Sequence, residues 1–326
     1  MTSMHVNRRA LLAGSAAIAA SGALVRGRPA AAAAPKTGQQ VPGLHRVTVG
    51  DIEVTAVLDG HLDIPANMFP KADPPGIERL QKDAFAPLGD KLRAPVNGYL
   101  VNTGDKLILV DGGTGGRLGP TAGRLADNLK AAGIALAAID TVLATHLHPD
   151  HIGGIFSQDG TALFPNAELV VHEADVAFWT NMDIMAKAPD VVKGFFRIAQ
   201  GSLKAYEGRV RRVSKDGEVV KGVSAMHLPG HTPGHIGFVA ASGNQSLLLW
   251  GDIVHAAVLQ FAKPDWSIAF DVDMNQGSAT RKKVFDMAAT DRLLVAGMHL
   301  PFPGVGHVAK AGDGYAFAPL EWRYQL

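Results

Sequence analysis

The stretch His146-Leu147-His148-Pro149-Asp150-His151 places three imidazoles and one carboxylate in six residues, directly behind the apolar run Thr141 to Ala144. Packing does not explain so many polar groups at the end of a buried strand. An extended backbone throws His146 and His148 to one side and Leu147 to the other. The turn at Pro149, with a helix start near Ile152-Gly153, swings Asp150 and His151 toward the same space. Neutral imidazole and carboxylate suit Zn2+ and similar borderline ions. The segment therefore reads as half of a metal centre, with His146 and His148 toward one cation and Asp150 and His151 toward a second.

Four groups in one turn cannot close two coordination shells, and three later segments repeat the same layout. Val223 to His227 runs into Leu228-Pro229-Gly230-His231, Leu247 to Trp250 into Gly251-Asp252, and Leu293 to Ala296 into Gly297-Met298-His299. Each is an apolar strand, then a small or turning residue, then a metal-capable side chain. If these strands leave on one edge, His231 joins His146 and His148, and His299 joins Asp150 and His151. Asp252 would bridge, because one carboxylate can hold two cations about 3.5–4 Å apart. Ligand imidazoles usually donate their second N–H to a supporting acceptor, which makes Asp111, behind Leu107 to Val110, and His235 the expected supports.

Composition narrows the function. With 326 residues and 47% hydrophobic content the chain can bury a sizeable core. Its 31 Lys and Arg nearly cancel 30 Asp and Glu, leaving no broad positive field for a phosphate backbone, so nucleic acid is not the expected partner. There is no cysteine, so any metal site must be built from His and carboxylate. Asn7-Arg8-Arg9-Ala10-Leu11-Leu12 precedes an apolar run to Val25, and the small residues Ala30 to Ala34 suit signal-peptidase cleavage. Residues 1–34 are thus expected to be a cleaved export signal resembling the twin-arginine type, with an ordinary secretory signal as the alternative. A mature, periplasmic or secreted domain would follow over 35–326. The apolar run is shorter than the ~20 residues a membrane anchor needs.

Along the chain, Arg46 to Val49 and Ile52 to Leu58 read as a hairpin. Gly98 to Asn102 and Lys106 to Val110 read as another. Gly60 to Pro95, rich in proline, reads as a long irregular excursion with a helix around Ile77 to Phe85. Helical spacing marks Leu118 to Ala132, Glu173 to Thr180, Val191 to Tyr206 and Ala279 to Ala289. Strands are expected at Ile139 to Thr145 and Ala167 to Val171, within Arg209 to His227, at Phe238 to Ala240 and Leu247 to Trp250, and last at Leu293 to Ala296. Strands precede helices twice, so the pattern is α/β with two mixed sheets and helices outside.

The H-x-H-x-D-H run, the downstream His231, the Gly251-Asp252 pair and the final His299 together resemble the dinuclear pattern of the metallo-β-lactamase superfamily. The resemblance implies an αββα sandwich with the metals at the edge between the sheets. Within that superfamily the chain looks most like the methyl parathion hydrolase group and its lactonase and dihydrocoumarin-hydrolase relatives. The likeness is carried by Gly98 to Gly104, Lys193-Gly194-Phe195-Phe196, Gly230 to His235, Arg281-Lys282-Lys283 and Phe302 to His307. It implies two divalent ions, Zn2+ or another borderline ion, and a hydrolase with Asp150 and Asp252 at its catalytic centre. A hydroxide shared by the ions would attack a lactone, aryl ester or organophosphate. It also implies a homodimer, and a substrate pocket walled by Trp179 and Phe195, with Phe196 beside them; ordinary helix core is the bland reading of all three. Where the group carries an aromatic near the pocket mouth this chain has Leu118, which argues against fast organophosphate turnover. The rivals are an organophosphorus hydrolase as main activity, a β-lactamase, and a non-catalytic periplasmic metal-binding protein. His45, His61, His172, His227, His255 and His307 lack ligand spacing and are expected to be structural.

Overall fold

Two seven-stranded sheets, each ordered in space as in sequence, make up the centre of the protein in a computed structural model that describes residues 36–326. The expected export signal lies outside the described residues. The first sheet runs β1 (Leu44–Val49), β2 (Ile52–Pro65), β3 (Lys91–Asn102), β4 (Leu107–Val110), β5 (Thr141–Leu143), β6 (Glu168–His172) and β7 (Val210–Val213). Its first four strands pair antiparallel and β4 to β7 pair parallel. The second sheet runs β8 (Gly217–Val220), β9 (Val223–His227), β10 (Ile236–Ser242), β11 (Gln245–Leu249), β12 (Leu294–Ala296), β13 (Val305–Ala311) and β14 (Gly314–Pro319). All of its pairs are antiparallel except β11 with β12.

Alternation along the strands assigns the layers. Ile108 and Val110 point between the sheets and meet Phe238, Leu247 and Leu249, whereas Leu109 points outward. On that outer face it joins residues of α2 (Leu125–Ala131), α4 (Glu173–Trp179) and α6 (Asp190–Ala205). Leu248 and Val295, on the outer face of the second sheet, pack against Val284, Phe285 and Ala288 of α8 (Met274–Thr290). Both faces of the central strands are covered, and for that reason they read as apolar runs instead of alternating ones. Two mixed sheets flanked by helices form the αββα sandwich. Among the described residues no helix is long and apolar enough to cross a membrane.

Four expectations need correction. The excursion Gly60 to Pro95 is largely a two-stranded arm: after a register shift between Leu58 and Gly60, β2 continues to Pro65 and pairs with β3 back to Lys91. The bulge breaks the two-residue period, and this hid the strand. The arm's helix, α1 (Pro74–Asp83), starts three residues earlier than expected, where Asp73 accepts from Gly76 N–H at its N-terminus. The helix expected over Leu118 to Ala132 spans only α2, because Gly119 and Gly123 have positive φ and Pro120 lies between them. Finally, β12 is not the last strand, and two short helices were missed, α5 (Met182–Lys187) and α7 (Ala257–Gln260), as was α3 (Pro149–Ile152) in its full extent.

Candidate metal centre

Parallel pairing carries the tail of β4 to the same edge as that of β5, where Asp111 and His146 follow. In the second sheet β9 and β11 run in the same direction, each antiparallel to β10, and β12 is parallel to β11. His231, Asp252 and His299 therefore also leave from strand C-termini on one edge. The seven side chains singled out in the sequence meet there in two groups. His146, His148, His231 and Asp252 form one, and Asp150, His151 and His299 the other, with ligand atoms inside each group within 4.8 Å. Asp252 faces both. Its Oδ2 lies 3.2 Å from His231 Nε2 and 3.3 Å from His299 Nε2, and its Oδ1 lies 3.3 Å from His151 Nε2. His148 Nδ1 is 2.9 Å from His146 Nε2 and 2.8 Å from His231 Nε2.

Three of the imidazoles are turned by a support on their far side. His151 Nδ1 is 2.7 Å from Asp111 Oδ2, His231 Nδ1 is 2.8 Å from Asp271 Oδ1, and His299 Nδ1 is 2.7 Å from the Pro95 carbonyl. With Nδ1–H donating outward, each Nε2 is the ring atom turned toward the cluster. Asp111 also accepts from Thr145 N–H and Oγ1–H at 2.8 and 2.9 Å, and does so from a left-handed backbone, φ 58°. An aspartate tolerates that region better than most residues, at a cost of about 1 kcal/mol. His235 supports differently from the expectation: it holds no imidazole, but its Nε2 accepts the Asp252 backbone N–H at 2.8 Å while Nδ1 donates to the Leu228 carbonyl at 2.7 Å. A side chain at Gly251 would have its Cβ 2.3 Å from His235 Nε2, so glycine there is what lets the imidazole reach the Asp252 amide.

The electrostatics are those of a cluster built around positive charge. Burial, and the nearby imidazoles, push His146 and His148 well below the ordinary histidine range, so both are neutral donors of a lone pair. Although burial raises the carboxyls, neighbouring imidazoles hold Asp150 and Asp252 well below the usual range. Burial opposes protonation of His231 and His299, yet Asp252 with Asp271, and Asp252 with Asp150, lift them to about 9 and about 10. His151 Nε2 and Asp252 Oδ1 are buried without a hydrogen-bond partner. Two orphaned buried atoms facing one another at 3.3 Å, in a cluster of imidazole nitrogens and carboxylate oxygens only, fit borderline divalent cations.

Three site residues escaped the sequence reading. His255, expected to be structural, lies with Nε2 3.1 Å from Asp252 Oδ2, and both of its ring nitrogens are buried without a hydrogen bond. Its spacing of three from Asp252 was the signal available. Asp271, which orients His231 across forty residues of chain, had no local signal at all. A third support, Asp175, accepts from Leu147 N–H at 2.9 Å and Gly234 N–H at 2.8 Å, tying together the two histidine-bearing loops.

Above the cluster a cleft of about 70 Å3 is lined by Leu62, Ile64, Leu118, Phe195 and Phe270 besides the cluster itself. It shares His148, Phe195 and Phe270 with a cavity of about 480 Å3 walled by Trp179, Phe196, Ile184 and Val192. Trp179 is almost fully buried and meets His148 edge-on, ring centroids 5.2 Å apart, and Phe196 lies against it at 4.7 Å.

Comparisons against known proteins identify the family. The family model described as metallo-beta-lactamase superfamily matches residues 93–299. A solved structure described as hydrolase AbOPH in beta lactamase superfamily is 32% identical, with a TM-score of 0.82, covering 87% of this chain and 100% of that one. AidC, described as a dizinc quorum-quenching lactonase, is 27% identical with a TM-score of 0.80, covering 86% of this chain and 99% of its own. The beta-lactamase-like protein 2 homolog of Drosophila melanogaster is 28% identical over 74% of this chain and 70% of its own length. An N-acyl homoserine lactonase of Bacillus sp is 28% identical over 45% and 58% respectively. With the family model spanning more than half of the chain and the same αββα sandwich in its neighbours, this protein belongs to the metallo-β-lactamase superfamily, as one of its metal-dependent hydrolases.

Proposed function

We propose that the chain holds two zinc ions and hydrolyses an ester-like bond in a small molecule, a lactone or an aryl ester first and an organophosphate triester second. The observation that carries this reading is Asp252, whose carboxylate faces both ligand groups at 3.2–3.3 Å. His146, His148 and His231 would hold one ion, Asp150, His151 and His299 the other, and Asp252 both. When bound, such a pair supplies Lewis acidity and lowers the pKa of water from 15.7 to about 7, so no serine or cysteine nucleophile is needed.

The chain's own groups do the rest. Neutral His146 and His148 leave their lone pairs free, while Asp111, Asp271 and the Pro95 carbonyl fix the rings of His151, His231 and His299. A space of about 70 Å3 over the cluster admits the reacting group but not a whole substrate. The body of the molecule would lie in the adjoining 480 Å3 cavity, where Trp179, Phe195 and Phe196 offer aromatic walls, while Leu118 lines the smaller cleft. The names of AidC and of the Bacillus lactonase support a lactone as the first substrate class. A β-lactam is disfavoured, because Asp252 stands where it would hold both ions.

The test is a panel on zinc-loaded protein: dihydrocoumarin, an acyl-homoserine lactone, methyl parathion and a cephalosporin. Turnover of a lactone or aryl ester well above the other two is expected, and activity confined to the cephalosporin would refute the reading.

Two properties outside the site belong to the same proposal. Export is supported by the arginine pair and apolar run ahead of Ala34, and is checked by mass spectrometry of the mature N-terminus. A homodimer is supported by Phe85 and Leu88, 98% and 57% exposed on the loop between α1 and β3, an apolar patch that a second copy would cover. Light scattering of wild type and Phe85→Asp checks it, with a monomeric wild type as the refuting result.

A further inference from the structure

Helix α8 buries one cation, Arg281, which is 1% exposed. Removing a guanidinium from water is costly unless its charge and donors are matched, so its partners show what it does. Nε donates to the Ile253 carbonyl at 2.6 Å and Nη1 to the Pro264 carbonyl at 2.9 Å, while Nη2 lies 3.6 Å from Asp271 Oδ2. Ile253 directly follows Asp252, and Asp271 Oδ1 is the atom that meets His231 Nδ1 at 2.8 Å. One guanidinium thus reaches two members of the same ligand group by separate routes, through backbone to Asp252 and through a carboxylate to His231. The segment around Asp271 is itself clamped to the His231 turn, since Val272 N–H donates to the His231 carbonyl and Asp273 N–H to the Gly230 carbonyl, both at 2.9 Å. A side chain at Gly230 would put a Cβ 2.2 Å from Gly277 N in the first turn of α8. The helix therefore docks on the ligand loop with backbone against backbone.

A guanidinium that served only to fill the core would have no reason to join these two strand ends. We propose that Arg281 is a positioning residue for the His146, His148, His231 and Asp252 group, acting through Asp271 and the Ile253 carbonyl to keep His231 and Asp252 in register for the cation they would share. The inference rests on the dinuclear reading given above. Lysine cannot replace the planar fork, because an ammonium is a compact point charge and its donors are not splayed toward two carbonyls and a carboxylate at once.

The experiment is zinc titration of the metal-free full chain against a chromophoric chelator, with thermal melts of the metal-free proteins alongside. Wild type is measured first, and two zinc ions per chain are expected. A wild type that binds none overturns the metal reading and takes this inference with it. Given two ions, Arg281→Lys and Asp271→Asn are each expected to weaken one position by about 10- to 100-fold, the range for groups that orient ligands, and to leave the other within about twofold. The double variant is expected to lose more at that position than Asp271→Asn alone, because the contact of Arg281 with the Ile253 carbonyl does not pass through Asp271. Wild-type affinity at both positions in Arg281→Lys, with only the melting temperature lowered, overturns the proposal and returns Arg281 to a structural role, whatever Asp271→Asn does. Should Arg281→Lys fail to fold, Arg281→Gln takes its place under the same two outcomes.

Discussion

The two halves of the sandwich present their ligands in opposite ways. The first sheet delivers four groups from one turn after β5, so chain connectivity keeps His146, His148, Asp150 and His151 close, with Asp111 and Asp175 as their carboxylate supports. The second delivers His231, Asp252 and His299 from three strand ends spread over sixty-eight residues, and each needs an anchor of its own: Asp271, His235 and the Pro95 carbonyl. A contiguous motif is held by few outside contacts, whereas a dispersed one depends on buried polar groups that touch no substrate. Damage to supports should therefore cost the second half more than the first, and Asp252, where the halves meet, should cost most.

The largest effect is expected from Asp252→Ala. It removes the carboxylate that faces both groups, so zinc measured by mass spectrometry should fall from two to one or fewer per chain and turnover by at least about 10^3-fold, with the fold retained. Full occupancy with normal rates would show that Asp252 bridges nothing. Next comes Asp111→Asn, the carboxylate that turns His151 in the first half. Asn can still accept one hydrogen bond, and a loss of about 10-fold in zinc affinity, the low end of the range for such supports and below that of Asp271→Asn, is expected at the Asp150, His151 and His299 position. A drop no smaller than that of Asp271→Asn would erase the contrast drawn here between contiguous and dispersed ligands.

A third effect is a pH dependence of stability that comes from His235. Burial, together with the charge of His231, holds this imidazole down to about 3, while in the unfolded chain it titrates near 6.5. Because the folded pKa is the lower one, the unfolded state takes up the proton first. The contribution of His235 is therefore complete above pH 6.5 and is lost as pH falls toward 3, amounting to about 2 kcal/mol at pH 5. Urea unfolding of metal-free wild type and His235→Gln at pH 7.5 and 5.0 measures it. Wild type should lose that much more than the variant, and parallel losses would remove His235 from the account. The smallest effect is expected at Trp179, buried yet edge-on to His148 and lining the larger cavity. Trp179→Ala should weaken kcat/KM for aryl substrates a few-fold more than for aliphatic lactones, by roughly the ~1 kcal/mol an aromatic contact contributes. Equal losses on both would assign Trp179 to the helix core.

How far the sequence could be read follows the same division. The H-x-H-x-D-H turn after an apolar run, and the three later strands that each end in a ligand, state their chemistry locally, and hairpins such as β1 with β2 follow from runs around Gly50-Asp51. The arm of β2 and β3 could not be read, because one bulge at Leu58 and Gly60 breaks the period on which strand reading depends. The Leu118 helix was over-read because Leu118, Leu125 and Leu129 keep helical spacing across glycines that the backbone uses to turn.

By itself, then, the sequence determined which strands would be buried, which ligands would close their ends, and that no thiol takes part. Only the tertiary structure decided that His255 stands beside Asp252, that Asp271 turns His231, and that Arg281 reaches the neighbours of both. The physical reason is range. Periodicity and ligand spacing are properties of neighbouring residues, whereas a carboxylate forty positions from the imidazole it orients meets it only after two sheets have set their register and a helix has docked across them.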